Sequence, residues 1–259
     1  ELDTRAGLNW YDYGARHYDA ALGRFTTQDP LAKDYYATSP YGYCLNNPVG
    51  AVDYEGKLII FINGFAPRRE NRASINYWTS DFVNQVKKQL NDNNVMFRHG
   101  GVDTNSKSRM QLGALQAIID APEIIKRITG ESGNITETIK VISHSMGSSF
   151  AKGYIKSLQN YFEDNGLKNA LITLEADFDP FQANTLSVID NVYTQQFTHN
   201  RMFEGDYWFL ANKRQNGINE NNYYNDRKQG SHSITSFFND ISKLHEGTYI
   251  WNGEEWILQ

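Results

Sequence analysis

A single cysteine, Cys44, in a chain of 259 residues excludes any internal disulfide. Flanked by Tyr43 and Leu45, it reads as a small packed residue rather than a nucleophile. No spacing of His, Cys, Asp and Glu fits a structural zinc site, so neither a metal nor a cofactor is expected. No apolar run approaches the length of a membrane span, and no basic-apolar-small leader opens the chain. Basic blocks are missing too. The 25 Lys and Arg against 30 Asp and Glu leave a net charge of −5, which argues against a nucleic-acid partner and against standing attraction to anionic membranes. What is present is 40% hydrophobic and 21% charged sequence, enough to bury one full-sized core plus a small module. The chain opens on Glu1, in sequence that reads as the middle of a protein, so a piece of a larger protein is expected.

The run Ile139-Lys140-Val141-Ile142-Ser143-His144-Ser145-Met146-Gly147-Ser148-Ser149-Phe150 joins an apolar strand to a helix at a serine crowded by small residues. A serine on so sharp a turn lifts its hydroxyl above the sheet only if the residues two before and two after it carry little bulk. Ser143 and Gly147 meet that demand. After Met146, apolar positions at Phe150, Tyr154, Ile155, Leu158, Tyr161 and Phe162 recur at helical spacing, and Gly166 follows as a stop. The pattern is G-x-S-x-G with serine for the first glycine, and it resembles the nucleophile elbow of α/β-hydrolases and lipases. A buried strand followed by a helix with a serine-rich first turn is the plain alternative.

Before Gly56 the chain is dense in tyrosine and turn residues. Gly7-Leu8-Asn9-Trp10-Tyr11-Asp12-Tyr13-Gly14-Ala15-Arg16-His17-Tyr18-Asp19 is followed by Leu22-Gly23-Arg24-Phe25, Gln28-Asp29-Pro30, Asn46-Asn47-Pro48 and Asp53-Tyr54-Glu55-Gly56. Short aromatic strands between Gly, Asn and Pro turns suit β-hairpins. The ordered combination resembles the core-associated tail of RHS and YD-repeat proteins. In that family the tail follows a large β-cage and precedes a variable C-terminal domain, often a toxin, and some members cleave themselves at Asp-Pro-x-Gly motifs. Asp29-Pro30 lacks the following glycine and Asp53 is followed by Tyr54, so structural roles are expected for both aspartates.

From residue 57 onward, strand and helix patterns alternate. Strands are predicted over 58–62, 95–98, 139–142, 170–174 and 192–197, with helices near 75–90, 110–128, after the elbow and over 234–244. The ending 249–258 is a hairpin signal around Asn252-Gly253. Two domains follow: an RHS tail over 1–56 and a domain over 57–259. The fold class is α/β, with a mostly parallel central sheet and flanking helices. The elbow resemblance narrows it to the α/β-hydrolase fold. Irregular stretches at 200–230, rich in aromatics and asparagine, and at 100–108 are lid candidates.

Ser145 needs a histidine to take its proton and an acid to orient that histidine. The hydrolase order serine, acid, histidine removes His17, His99 and His144. His232, in a glycine-led turn entering the last helix, is the expected base, with His199 structural and His245 a helix C-terminal dipole partner. Three carboxylates fit the order: Asp206 after the later strand, which we favour, or Asp177 and Asp179 after the earlier one, a location used by some lipases. Asp177 could equally cap the turn before Pro180. The oxyanion donors are expected to be the N–H of Met146 and that of Phe65, in Phe61-Ile62-Asn63-Gly64-Phe65-Ala66-Pro67, where Asn63 stands in place of the family's usual histidine.

The hydrolase resemblance implies cleavage of a carboxylic ester by a lipase- or phospholipase-like domain. The RHS resemblance implies a secreted bacterial effector, delivered by a type VI apparatus into a target cell and neutralised in the producer by a cognate immunity protein. The same triad would serve acyl transfer, thioester or amide cleavage. A silent binding module is the reading of another class, with Ser143 and Asn63 as marks of decay.

Overall fold

Two units make up the chain, Glu1–Tyr54 and Glu55–Gln259. The computed structural model describes residues 2–3, 10–12, 17–19, 21–28, 39, 41, 57–101, 103–130, 133–135, 137–199, 213–224 and 232–259. In the first unit four short strands, β1 (Leu2–Asp3), β2 (Trp10–Asp12), β3 (His17–Asp19) and β4 (Arg24–Phe25), pair antiparallel in chain order. Aromatic contacts and one carboxylate hold this meander. Tyr18 meets buried Phe25 edge-on, and Asp19 accepts hydrogen bonds from the Trp10 indole and from the N–H groups of Ala21 and Leu22, closing the turn into β4. Cys44, Asp29-Pro30 and Asp53 lie outside the described residues.

The second unit is an α/β fold. Its elements are β5 (Lys57–Asn63), α1 (Ile75–Trp78), α2 (Ser80–Leu90), β6 (Asn94–His99), α3 (Ser106–Ile128), β7 (Thr138–His144), α4 (Gly147–Asp164), β8 (Leu171–Phe178), β9 (Tyr193–His199) and β10 (Glu220–Tyr224). A hairpin of β11 (Tyr249–Trp251) and β12 (Trp256–Leu258) ends the chain. Six strands form one sheet in the order β10-β9-β8-β7-β5-β6, every pairing parallel. Parallel strands need a crossover between neighbours, so helices cover both faces and the inner strands are buried on both, apolar along β5 but carrying Glu175 and Asp177 in β8. In β5, Leu58, Ile60 and Ile62 face the α3/α4 layer while Ile59 and Phe61 face α2, all fully buried. Each such side chain contributes about 1.5–3 kcal/mol of burial. α3 and α4 approach closely because Gly153 carries no Cβ: one placed there would lie 1.8 Å from the Met110 carbonyl oxygen. Among the described residues no helix is long and apolar enough to cross a membrane.

Several local expectations change. The helix expected over 75–90 is two helices, broken at Thr79 with φ +66, whose side chain accepts from the Phe82 N–H and caps α2. α3 begins at Ser106, so the end of the 100–108 lid candidate is helical. Within 200–230, residues 220–224 form β10, an edge strand of alternating half-buried and exposed residues; the rest of that lid candidate lies largely outside the described residues. The last helix, Ile234–Lys243, is 3-10: Ile234, Phe237 and Asp240 are buried at spacing three, the period at which side chains eclipse in that geometry. The terminal hairpin turns through four residues, not two, with only Gly253 at positive φ and the Asn252 side chain accepting from the N–H groups of Glu254 and Glu255.

Candidate active site

A parallel sheet delivers all its strand C-termini to one edge, where loops cluster. There β7 turns into α4 through Ser145, whose φ is +58 although it carries a side chain. Such backbone strain is held only where the surroundings over-determine it. The Ser145 N–H donates to the Phe178 carbonyl (2.9 Å), and its carbonyl accepts from Ser148 and Phe181 (3.2 and 3.1 Å). Gly147 packs against β5, where an added Cβ would sit 2.4 Å from the Ile62 carbonyl oxygen. Small bulk two residues after the serine is therefore a steric need of this turn.

His232 reaches across from the turn before the 3-10 helix. Its Nε2 lies 2.6 Å from Ser145 Oγ and its Nδ1 lies 2.7 Å from Asp179 Oδ2. An ionised carboxylate can only accept, so Nδ1 carries the imidazole proton and Nε2 accepts from the serine hydroxyl. All three side chains are largely enclosed, at 2% for Ser145 and 14% and 3% for the side chains of His232 and Asp179. Asp179 sits one residue beyond β8 with φ +47, its N–H donating to the Phe197 carbonyl (2.7 Å).

Among the expected acids, then, the carboxylate on His232 is Asp179. The favoured Asp206 lies outside the described residues. Asp177, two residues before Asp179, would share its face if the strand ran on, but Asp179 lies beyond β8 at φ +47, and the two carboxylates part there. Asp177 accepts hydrogen bonds from Ser143 and Gln215 and faces Lys152, not the histidine. His199 pairs with Asp240 (2.8 Å), a structural contact as expected. His245 does not serve as a helix-end partner: its Nε2 meets Glu220 (2.9 Å).

Beside the serine, Gly64 lies so near that a Cβ there would be 2.8 Å from Ser145 Cβ and 3.2 Å from the Met146 nitrogen. The loop after β5 thus abuts the Met146 N–H, with Phe65 next in chain and more than half exposed. Neither the Met146 nor the Phe65 N–H donates to another group among the described residues. Asn63 holds this loop. Its amide donates to the Gly64 carbonyl and to His99 Nδ1, both at 2.8 Å, and its oxygen accepts from the Ala73 N–H (2.9 Å). Burial, then the nearby Arg72 charge, lowers the His99 pKa and keeps that ring an acceptor.

Two further residues at the site carry no sequence signal for it. The Tyr77 hydroxyl, its pKa raised far above the usual phenol range by burial, takes a hydrogen bond from the Gly64 backbone and shares one with His144 Nδ1 (2.5 Å). The His144 ring lies 4.8 Å from that of His232. Chain order removes His144 as the base but says nothing of its stacking, and Tyr77 lies in a loop helix with no motif. No cluster of three or more His, Cys, Asp or Glu suited to a metal occurs among the described residues.

No family model matches the chain. A stretch of 60 residues, 23% of the chain, is 43% identical to part of Salivary gland surface protein 1 of Aedes aegypti. The match covers 2% of that protein's length, so the chain corresponds to only a small part of this curated relative.

Proposed function

We propose that the second unit is a serine hydrolase of the α/β-hydrolase fold that cleaves carboxylic esters in the manner of a lipase or phospholipase. The observation that carries this reading is the relay Asp179–His232–Ser145, with two hydrogen bonds of 2.7 and 2.6 Å and the serine at positive φ. An acid directly after the strand that follows the elbow strand is a location used by some lipases. Ser145 Oγ attacks the ester carbonyl carbon as its proton passes to His232 Nε2. Asp179 stabilises the imidazolium. The oxygen that gains charge is received by the N–H groups of Met146 and Phe65, a contribution of about 10²–10³ in rate per donor. His232 then protonates the leaving alcohol, and a water repeats the sequence on the acyl-serine.

The two departures from the family pattern argue against a silent module. Asn63 braces the loop after β5 through three hydrogen bonds, and Ser143 bonds Asp177 beneath the elbow. From the RHS resemblance of the first 56 residues we propose that this unit is carried by a secreted bacterial effector with a cognate immunity protein and a secretion apparatus as partners.

The test is reaction of the chain with an alkyl fluorophosphonate, beside release of acid from short-chain esters, phospholipids, thioesters and amides. Labelling at Ser145 with ester turnover, both lost in Ser145→Ala and His232→Ala, is the expected result. Labelling without ester turnover would move the assignment to acyl transfer or amide chemistry. No labelling would remove the enzyme.

A further inference from the structure

Beneath the elbow, between the sheet and α4, lies a fully enclosed polar chain that the triad does not use. Lys152 of α4 donates to Glu175 Oε2 at 2.5 Å and lies 3.4 Å from Asp177 Oδ2. Asp177 Oδ2 also accepts from the Gln215 amide (2.7 Å), and Asp177 Oδ1 accepts from the Ser143 hydroxyl. Ser143 has one proton, given to Asp177, so Ser148 is the donor in the 2.6 Å contact between the two serines. The side chains of Ser143, Ser148, Glu175 and Asp177 are completely buried, and those of Lys152 and Gln215 nearly so.

The place of these residues gives the chain its interest. Ser143 and Ser148 stand two residues before and three after Ser145, gripping the strained turn from both sides. Asp177 is two residues before Asp179. One carboxylate therefore ties the strand that ends in the nucleophile to the strand that ends in the triad acid. Burial, reinforced by Asp177, raises the Glu175 pKa to about 8. Such groups are costly to enclose, two of their oxygens, Glu175 Oε1 and Gln215 Oε1, have no partner among the described residues, and an apolar filling would hold the helix as well.

We propose that Ser143 and Asp177 are positioning residues for the nucleophile: the hydrogen bond between them, braced by Lys152, sets Ser145 Oγ against His232. This rests on the serine-hydrolase reading. On it, the serine that replaces glycine two positions before the nucleophile is an anchor rather than a tolerated small residue. A misplacement of about 1 Å in such a site costs about a hundredfold in rate.

The experiment measures the inactivation rate constant and the reversible binding constant of an alkyl fluorophosphonate. It compares the full chain with Ser143→Ala, Ser143→Gly, Asp177→Asn, the double variant Ser143→Ala/Asp177→Asn, and Asp179→Asn, with thermal midpoints taken in parallel. Expected are inactivation rates about tenfold to a hundredfold lower in Ser143→Ala, Ser143→Gly and Asp177→Asn, with binding unchanged. The double variant should be no slower than Asp177→Asn alone, because one bond is lost once. The pH midpoint of labelling should stay put in these variants and shift only in Asp179→Asn, which touches the base. Wild-type rates in Ser143→Gly, which restores the family pattern, would overturn the proposal while leaving the triad standing; so would additive losses in the double variant. If Asp177→Asn fails to fold, the two Ser143 variants decide alone. An unlabelled wild-type chain would overturn the triad itself and this proposal with it.

Discussion

β5 and β8 flank the elbow strand on its two sides, and both are buried, yet they face the α3/α4 layer with opposite chemistry. β5 presents Leu58, Ile60 and Ile62, whereas β8 presents Glu175 and Asp177. Beyond the ladder hydrogen bonds that both strands share, the β5 side chains adhere through buried area, which has little direction and allows small shifts. The polar strand is bound by directional hydrogen bonds that tolerate few. Holding the fold and holding the site are thus divided between two neighbours of one strand.

That division can be broken from either side. The largest expected effect comes just beyond β8: Asp179→Asn should lower ester turnover by about 10⁴-fold with an unchanged thermal midpoint, since the amide can donate to the imidazole and hold it in the wrong tautomer while packing stays the same. Within the polar layer, Lys152→Met leaves Asp177 buried without its cation. It should cost about 3–5 kcal/mol in denaturant unfolding. In β5, Ile60→Ala should cost about 2–5 kcal/mol by the same measurement, while the labelling rate of the molecules that remain folded stays at the wild-type value. A large loss of labelling in Ile60→Ala would show that the two strands do not divide the work.

The smallest effect concerns pH. Glu175 has a folded pKa raised by burial from 4.5 to about 8. The folded state therefore binds this proton more tightly than the unfolded chain, and the associated stability is full below pH 4.5 and declines as pH rises toward 8. The thermal midpoint of the wild type should fall across that window, and Glu175→Gln, which cannot ionise, should flatten the decline. An identical decline in both would place the titrating group elsewhere, Glu137 (raised to about 7 by burial) being the next to test.

Much of the architecture is legible in the chain because its signals are local. The apolar runs of β5 and β7, the helical spacing after Met146 and the order of strands and helices each depend on neighbours in sequence. Less legible are features set by distant groups. Thr79 breaks the expected helix with a positive φ that no propensity announces. β10, with the sequence Glu220-Asn221-Asn222-Tyr223-Tyr224, carries too little apolar character to read as a strand, and among the described residues it pairs on one side only. The 3-10 geometry of Ile234–Lys243 differs from an α-helix by the hydrogen-bond step, which a spacing of three and four residues does not distinguish.

The site divides in the same way. By itself the sequence determined that a serine sits on a cramped strand-to-helix turn and that His232 follows it in the order a relay requires, because bulk and order are properties of the chain. It left three carboxylates in play and favoured Asp206 among them. Only the tertiary structure decided for Asp179 on His232, turned Asp177 inward onto Ser143, and made Asn63, Tyr77 and His144 parts of the site. Each of these rests on distance and direction between groups far apart in sequence, which the folded sheet alone supplies.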